Sequence, residues 1–383
     1  MQPLEFEPPP PPWAPWRAAI ARQPSAFGPL TTWLGSLARE GQVDTGYWAR
    51  ALFVTLVSGL SAPLRLWEEF RYRDLLHHAP IPHPPIFILG HWRSGTTALH
   101  YLFARDPRFG VVSTALAAAP GLSLTGGRAL QALIGGLSPP TRPMDDLPLS
   151  AATPQEDELA LSNLCEWSLY RFFGFPSAAR RLFDATVMYE GLDAPSREAW
   201  RAVYLRLLRV ATELSGGRRL VLKSPTHTAR IPDLLAVFPD ARFIHIHRDP
   251  YPVYDSTRQL WERVLAVTTI QRPDPMEMEQ NIIYFYQRMM ERYFTDRSLI
   301  PPGHLAEVGQ TEFAKDPLGT MRRLYSELSL DGFGEAEAAF GETAHRLAGH
   351  AGHRPPPGRE TIERVNQAWG FAFEPLGYER RLG

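Results

Sequence analysis

The chain is poor in cysteine. Its 383 residues hold one, Cys165, which excludes an intramolecular disulfide and suits a reducing, cytoplasmic compartment. No His/Asp motif accompanies Cys165, so it reads as a small buried packing residue. Charge of one sign is also missing: 40 Lys and Arg meet 41 Asp and Glu, for a net charge of −1. No basic field is left to draw the protein to nucleic acid. A long hydrophobic run is lacking too. The most apolar early segment, Ala51–Leu60, falls short of the roughly 20 residues a spanning helix needs. It reads as a core helix, or alternatively as an interfacial helix making peripheral membrane contact. No basic stretch followed by an apolar run and a cleavage site opens the sequence, so no secretory signal is expected. Internal repeats and clear metal-ligand clusters are absent as well. With 44% hydrophobic and 21% charged residues, the chain suits a soluble globular protein, long enough for one large domain with appendages.

What is present is a phosphate cradle. In Pro85-Ile86-Phe87-Ile88-Leu89-Gly90-His91-Trp92-Arg93-Ser94-Gly95-Thr96-Thr97, an apolar run that reads as a buried strand ends in a glycine-bounded loop. A helix opens at Thr96–Thr97 and continues through Phe103. Loop N–H groups and the positive end of the helix dipole then converge on an anion. A tight strand-to-helix turn without a ligand is the plain alternative. The nucleoside-triphosphatase form of this loop carries a lysine after the second glycine, beside a hydroxyl that holds Mg²⁺. Here Thr96 stands at the lysine position and the cation comes earlier, at Arg93. A guanidinium offers a planar fork to phosphate or sulfonate without a metal.

Residues 1–16 form a proline-rich arm, with Pro8 to Pro12 unbroken and Trp13 and Trp16 after them, expected to be extended. Residues 17–383 read as one α/β domain. A lead-in, 17–80, is mainly helical from about 28 to 78; the core with its insertions runs from 81 to 383. Residues 110–150, with Gly126-Gly127, Gly135-Gly136 and Pro139-Pro140, read as a looser region, a substrate lid or a plain surface loop. Thr153-Pro154-Gln155-Glu156 reads as a helix start with Thr153 as cap and Glu156 closing a capping box. A helix over about 195–215 is followed by a strand at Leu220–Leu222, then Lys223-Ser224-Pro225-Thr226-His227 and a helix to about Val237. A second strand, Phe243–His247, ends at Arg248-Asp249-Pro250, and Pro252 starts a helix. This alternation predicts a parallel sheet flanked by helices. Ligands of such sheets bind at the carboxyl ends of strands. Arg93, Lys223 and Arg248 each follow a strand, so all three are expected on one edge, around a ligand with separated negative charges.

The ordered set Gly90–Thr97, Pro154–Glu158, Lys223–His227 and Phe243–Tyr251 resembles the PAPS-dependent sulfotransferases, and most of all the bacterial branch that includes a mycobacterial enzyme acting on a hydroxylated dihydromenaquinone. The resemblance runs from about residue 45 to Tyr378 and includes Arg142-Pro143-Met144-Asp145 and Trp369. It implies a P-loop-type fold with helical lid insertions, and transfer of sulfonate from PAPS to a hydroxyl of a hydrophobic, small-molecule or lipid-like acceptor, with no metal. By position it implies that Arg93, Ser94, Gly95, Thr96 and Thr97 hold the 5′-phosphosulfate. Arg248 and Ser256, at the family's eight-residue separation, would grip the 3′-phosphate, and Lys223 would touch the transferring group. His353, Arg354 and Arg359 are candidates for further contacts to the 3′-phosphate. Cations fixed where charge develops as the bond to the nucleotide breaks stabilise the transition state, and Arg93 and Lys223 are the expected catalytic cations.

The chain departs from the family in one place that bears on mechanism. Many relatives carry a glutamate some twenty-odd residues past the loop arginine as general base, whereas Val111–Ala119 holds no carboxylate. An acidic acceptor hydroxyl needs less help. Substitutes within the chain are Glu156, in the Glu156-Asp157-Glu158 cluster, then His227, then His91; each also has an ordinary structural explanation. Two other classes compete. A P-loop kinase would need Mg-ATP and lacks its lysine here, and a non-catalytic nucleotide-binding relative would explain the missing glutamate.

Overall fold

The computed structural model describes Leu4 and residues 23–142, 147–348 and 356–382. The proline-rich arm other than Leu4, the Pro143–Asp145 segment, His353 and Arg354 lie outside the described residues. Five strands form one parallel sheet: β1 Ile86–Leu89, β2 Phe109–Gly110, β3 Arg219–Lys223, β4 Arg242–His247 and β5 Leu305–Gly309, in the order β2-β3-β1-β4-β5. The strands read as apolar runs because both sheet faces are covered. Alternate residues feed two cores. Phe87, Leu89, Leu222 and Phe243 pack on one side. Ile86, Ile88, Val221, Ile244 and Ile246 pack on the other, against the helices Thr96–Phe103 and Pro317–Glu327.

The expected alternation is present. Ala194–Leu214 is a helix capped by the Asp193 carboxylate, which accepts from the Ser196 N–H at 2.8 Å. The helix after β4 begins at Pro250, two residues earlier than expected, because Asp249 rather than Tyr251 is its cap. Cys165 is buried and burial pushes its thiol up to about 12, which suits an inert packing residue.

Three expectations need correction. Much of 110–142 is regular helix: Thr114–Ala118 and Ser123–Leu137 are helices, and both glycine pairs lie inside the second. Leu122, Leu130 and Ile134 give it a buried stripe with Ala115 and Ala119. The glycines register as a kink at Gly127, φ 44°, instead of a helix stop. The family resemblance also implies a variable acceptor loop within residues 257–280, but these are mostly helical, within Pro250–Thr268 and Pro275–Asp296. The capping box at Thr153 does not form. The helix starts at Asp157, Thr153 accepts from the Ser150 N–H at 2.9 Å, and Pro154 pairs with Ser113 in an isolated antiparallel bridge.

The lead-in is helical as expected, with helices Leu30–Glu40, Trp48–Leu60, Ala62–Arg71 and Arg73–His78. Trp33, Tyr47, Ala51 and Val54 belong to the same core as Phe87 and Phe243. The core-helix reading of Ala51–Leu60 holds for one side alone, and the segment is part of a longer one: helical structure extends over Thr45–Arg71, 27 residues, long and apolar enough to cross a membrane by length and composition. Its outer side faces solvent.

Candidate active site

The sheet order sets the site. β1 is flanked by β3 and β4, so the chain ends of these three strands lie side by side where the strand order reverses. That is the crevice in which open α/β sheets hold ligands. The loop leaving β1 is close-packed. Gly90 has φ 138°, and a Cβ there would sit 2.3 Å from the Ile246 carbonyl oxygen on β4. Gly95 has φ 97°, and a Cβ there would sit 2.9 Å from the Gln310 side chain. The Gly90 N–H donates to the Thr228 hydroxyl at 2.8 Å. Arg93, a residue with a side chain, is held at φ 70°, an unfavourable conformation that persists only where surroundings enforce it.

Two clusters meet at this loop. In the first, the Arg93 Nε donates to the Ser256 hydroxyl at 2.7 Å, and Arg248 donates to the Arg93 carbonyl at 3.4 Å. Ser256 lies on the helix after β4, turned back toward the strand end. In the second, Thr97 lies in the first turn of the loop helix. Its hydroxyl accepts from Lys223 at 3.4 Å and from Arg142 at 3.3 Å. The Lys223 ammonium also makes a close ion pair with Glu156. The other Glu156 oxygen accepts from the Tyr170 hydroxyl, which in turn accepts from the Trp92 indole N–H at 2.9 Å. Burial, reinforced by Glu156, pushes the Tyr170 phenol well above its ordinary value; it acts as a donor and does not ionise. Lys223 is 1% exposed and Glu156 13%, so their contact is largely desolvated.

The acidic cluster is thus divided. Glu156 faces the loop. Asp157 accepts from Tyr204 at 2.7 Å and pairs with His227 at 2.6 Å, all three buried. Burial raises the Asp157 carboxyl, but His227, Tyr204 and Arg230 together outweigh it and the net shift is downward. Glu158 holds buried Arg230 at 2.6 Å and accepts from Ser168, Leu169 and Thr226. His227 packs edge-on to Phe87 in the core. His91 is buried against Trp92 and Tyr286, its Nδ1 3.0 Å from the Trp92 carbonyl oxygen. Burial drives its imidazole down to about 3, against that contact.

Backbone pairing explains the position of Glu156. The Gln155 N–H donates to the Val112 carbonyl at 2.8 Å, and the Thr114 N–H to the Thr153 carbonyl at 2.8 Å. The strip before Glu156 is therefore laced to the very stretch, Val111–Ala119, that lacks a carboxylate. Sequence reading gave no site role to Arg142, Tyr170 or Trp92. Trp92 sat in view within the loop, and Arg142 stood in a motif without an assigned task; nothing local marks Tyr170. Arg359, a further candidate, is on the exposed start of a C-terminal helix, paired with Glu363.

A sequence profile described as "Sulfotransferase family" matches residues 84–335. The chain is 31% identical, over 92% of its length and 90% of theirs, to proteins of Mycobacterium bovis and Mycobacterium tuberculosis named omega-hydroxy-beta-dihydromenaquinone-9 sulfotransferase Stf3. Among solved structures it shares its fold with sulfotransferase STF9 of Mycobacterium avium, with a TM-score of 0.66 and 24% identity over 92% of this chain and 97% of that one. Sulfotransferase STF1 of Mycobacterium tuberculosis gives a TM-score of 0.59 and 20% identity over 87% and 93%. A phosphate-type loop carrying arginine in place of lysine, on a five-stranded parallel sheet, is therefore here the framework of a sulfonate-transferring enzyme, and the chain belongs to the sulfotransferase family.

Proposed function

We propose that the protein transfers the sulfonate of PAPS to a hydroxyl on a hydrophobic, lipid-like acceptor. The residues present suit that donor. The loop comes so close to β4 that no side chain fits at Gly90, which leaves backbone N–H groups from Arg93 to Thr97 to receive a 5′-phosphosulfate. Arg248 and Ser256 would take the 3′-phosphate, with Arg93 between the two phosphate positions. Donor binding would supply a sulfonate on a phosphate leaving group. The mycobacterial relatives named for a hydroxylated dihydromenaquinone support an acceptor with a long apolar body.

One observation carries the mechanistic reading: Lys223 touches both Thr97, at the phosphate loop, and Glu156. Its charge lies where negative charge would grow on the bridging oxygen as the S–O bond breaks. Glu156 would take the proton of the acceptor hydroxyl as its oxygen bonds to sulfur. We assign the base to Glu156 over His227 and His91: the first histidine is engaged by Asp157 and Tyr204, and the second is buried among aromatic rings. Glu156 then replaces the carboxylate missing from Val111–Ala119, which removes the main argument for a non-catalytic relative.

The test is Glu156→Gln, assayed with radiolabelled PAPS and a hydroxylated prenyl quinol. Turnover should fall about 100-fold or more, as expected for loss of a general base. Stabilisation by 3′-phosphoadenosine-5′-phosphate should be unchanged. Undiminished turnover would remove Glu156 from the chemistry. Stabilisation by Mg-ATP alone would remove PAPS.

A further inference from the structure

We infer that the outer face of the helical rod between Trp48 and Phe70 docks on the surface of an anionic lipid bilayer. The residues that face solvent most fully between Thr45 and Phe70 are all uncharged. Leu52, Leu56, Leu60 and Leu64 recur at four-residue spacing, and Leu60 and Phe70 leave 80% and 78% of their surface in solvent. A surface helix ordinarily turns polar residues outward. A continuous apolar face of this kind marks an interaction site.

The inner face fixes how the rod can meet a membrane. Arg50 is buried and donates to the Thr269 and Ala266 carbonyls at 2.8 and 2.9 Å. Ala51 and Val54 enter the main core. Buried Glu68 accepts from the Thr125 N–H at 2.7 Å. The rod is therefore pinned lengthwise to the protein body. It can lie in a headgroup plane with its outer side among acyl chains, whereas crossing a bilayer would tear out these contacts. Trp48 and Trp67, both exposed, are of the residue type that settles at that boundary.

Charge chooses the occupant. Arg71 and Arg73 are exposed at the end of the rod, and Arg128 is the exposed charge on the neighbouring helix Ser123–Leu137. Of the rod's own carboxylates, Glu68 is buried, and Glu69, its side chain 36% exposed, is neutralised by Arg206 at 2.6 Å and by His77 at 2.8 Å. The nearest exposed carboxylates, Asp44 and Asp74, lie beyond the two ends of the apolar face, and Asp44 accepts from the Arg272 N–H at 2.5 Å. An arginine-rimmed apolar face complements anionic headgroups.

Docking is measured without donor or acceptor, so it succeeds or fails separately from the proposed reaction. The full chain is floated with vesicles of phosphatidylcholine alone and of phosphatidylcholine with phosphatidylglycerol. It should rise with the second. Leu56→Gln/Leu60→Gln and Leu66→Gln/Phe70→Gln, made separately, should each lower the vesicle partition coefficient about tenfold or more, with Tm and nucleotide stabilisation unchanged. Arg71→Glu/Arg73→Glu should remove most of the dependence on phosphatidylglycerol. Wild-type protein that stays down with both vesicles overturns the inference, as do glutamine variants that float equally well. A wild-type dimer that the glutamine variants dissociate, without vesicle binding, would assign the face to a second copy instead.

Discussion

Replacing Lys223 by methionine keeps the length of the stem and removes the charge. Two consequences follow from where the ammonium lies. Losing one donor at a developing oxyanion raises the barrier by roughly 3–4 kcal/mol, or about 10²–10³ in kcat. Removing one partner of a buried ion pair leaves the other desolvated, at about 3–5 kcal/mol. Glu156 keeps 13% exposure and its Tyr170 donor, so the low end, about 3 kcal/mol, applies. At about 2.1 cal/mol/K per residue, 383 residues give an unfolding entropy near 0.8 kcal/mol/K, and the Tm should drop by about 4 °C. Lys223→Met/Glu156→Gln removes both charges, so calorimetry should recover most of that loss while PAPS turnover stays at or below the single-variant level. Calorimetric binding of 3′-phosphoadenosine-5′-phosphate should weaken only a few-fold in either variant. The reasoning is refuted if Lys223→Met loses affinity as steeply as turnover, or if the double variant melts no higher than the single one.

Arg248→Ala should show the reverse pattern, a large loss of nucleotide affinity with a smaller loss of saturated turnover, as titration calorimetry beside PAPS kinetics would show. Gly90→Ala forces both a left-handed conformation on a residue with a Cβ and a contact with Ile246, at about 1–3 kcal/mol for each. Gly217→Ala meets only the first, with φ 79° and open space around it, so Gly90→Ala should lower Tm at least twice as far. Burial holds His91 and His100 down to about 3, with Lys223 assisting at His100, and burial followed by His245 holds His247 down to about 4. Unfolding frees these rings to bind protons below their ordinary 6.5, so stability falls as pH drops from about 6.5 toward 4. The slope is up to about 1.4 kcal/mol per pH unit for each ring. Urea midpoints across that range check it, and His100→Phe should flatten the slope by about one proton.

The sheet and its loop were legible because their signals are local. Ile86–Leu89 is apolar at every position, and Gly90 and Gly95 are required where a Cβ would strike β4 or Gln310. The cations followed from one topological rule about strand ends. Residues 110–150 misled because glycine pairs suggest breaks, whereas Leu122, Leu130 and Ile134 find a buried partner surface that outweighs the cost of glycine in a helix. Thr153 and Glu156 matched a capping pattern, but tertiary pairing with Val112 and Thr114 claimed that backbone first. Tyr170 and Arg142 reach the site by long-range contact, 78 residues from Trp92 and 45 from Thr97, which no nearby pattern encodes. The apolar rod was visible as composition. Which of its sides would be covered depends on where the body presents Ala266, Thr269 and Thr125.

The proposed donor site joins Arg93 with Ser256, 163 residues later, and Thr97 with Lys223, 126 residues later. A nucleotide held there would act as a stitch across the middle of the polypeptide. A chain emerging from the ribosome acquires the loop early but can clasp nothing until β4 and its helix have joined the sheet, so occupancy reports that the central strands are assembled. Bound nucleotide should therefore slow amide exchange in β1, β3 and β4 together, not in the loop alone.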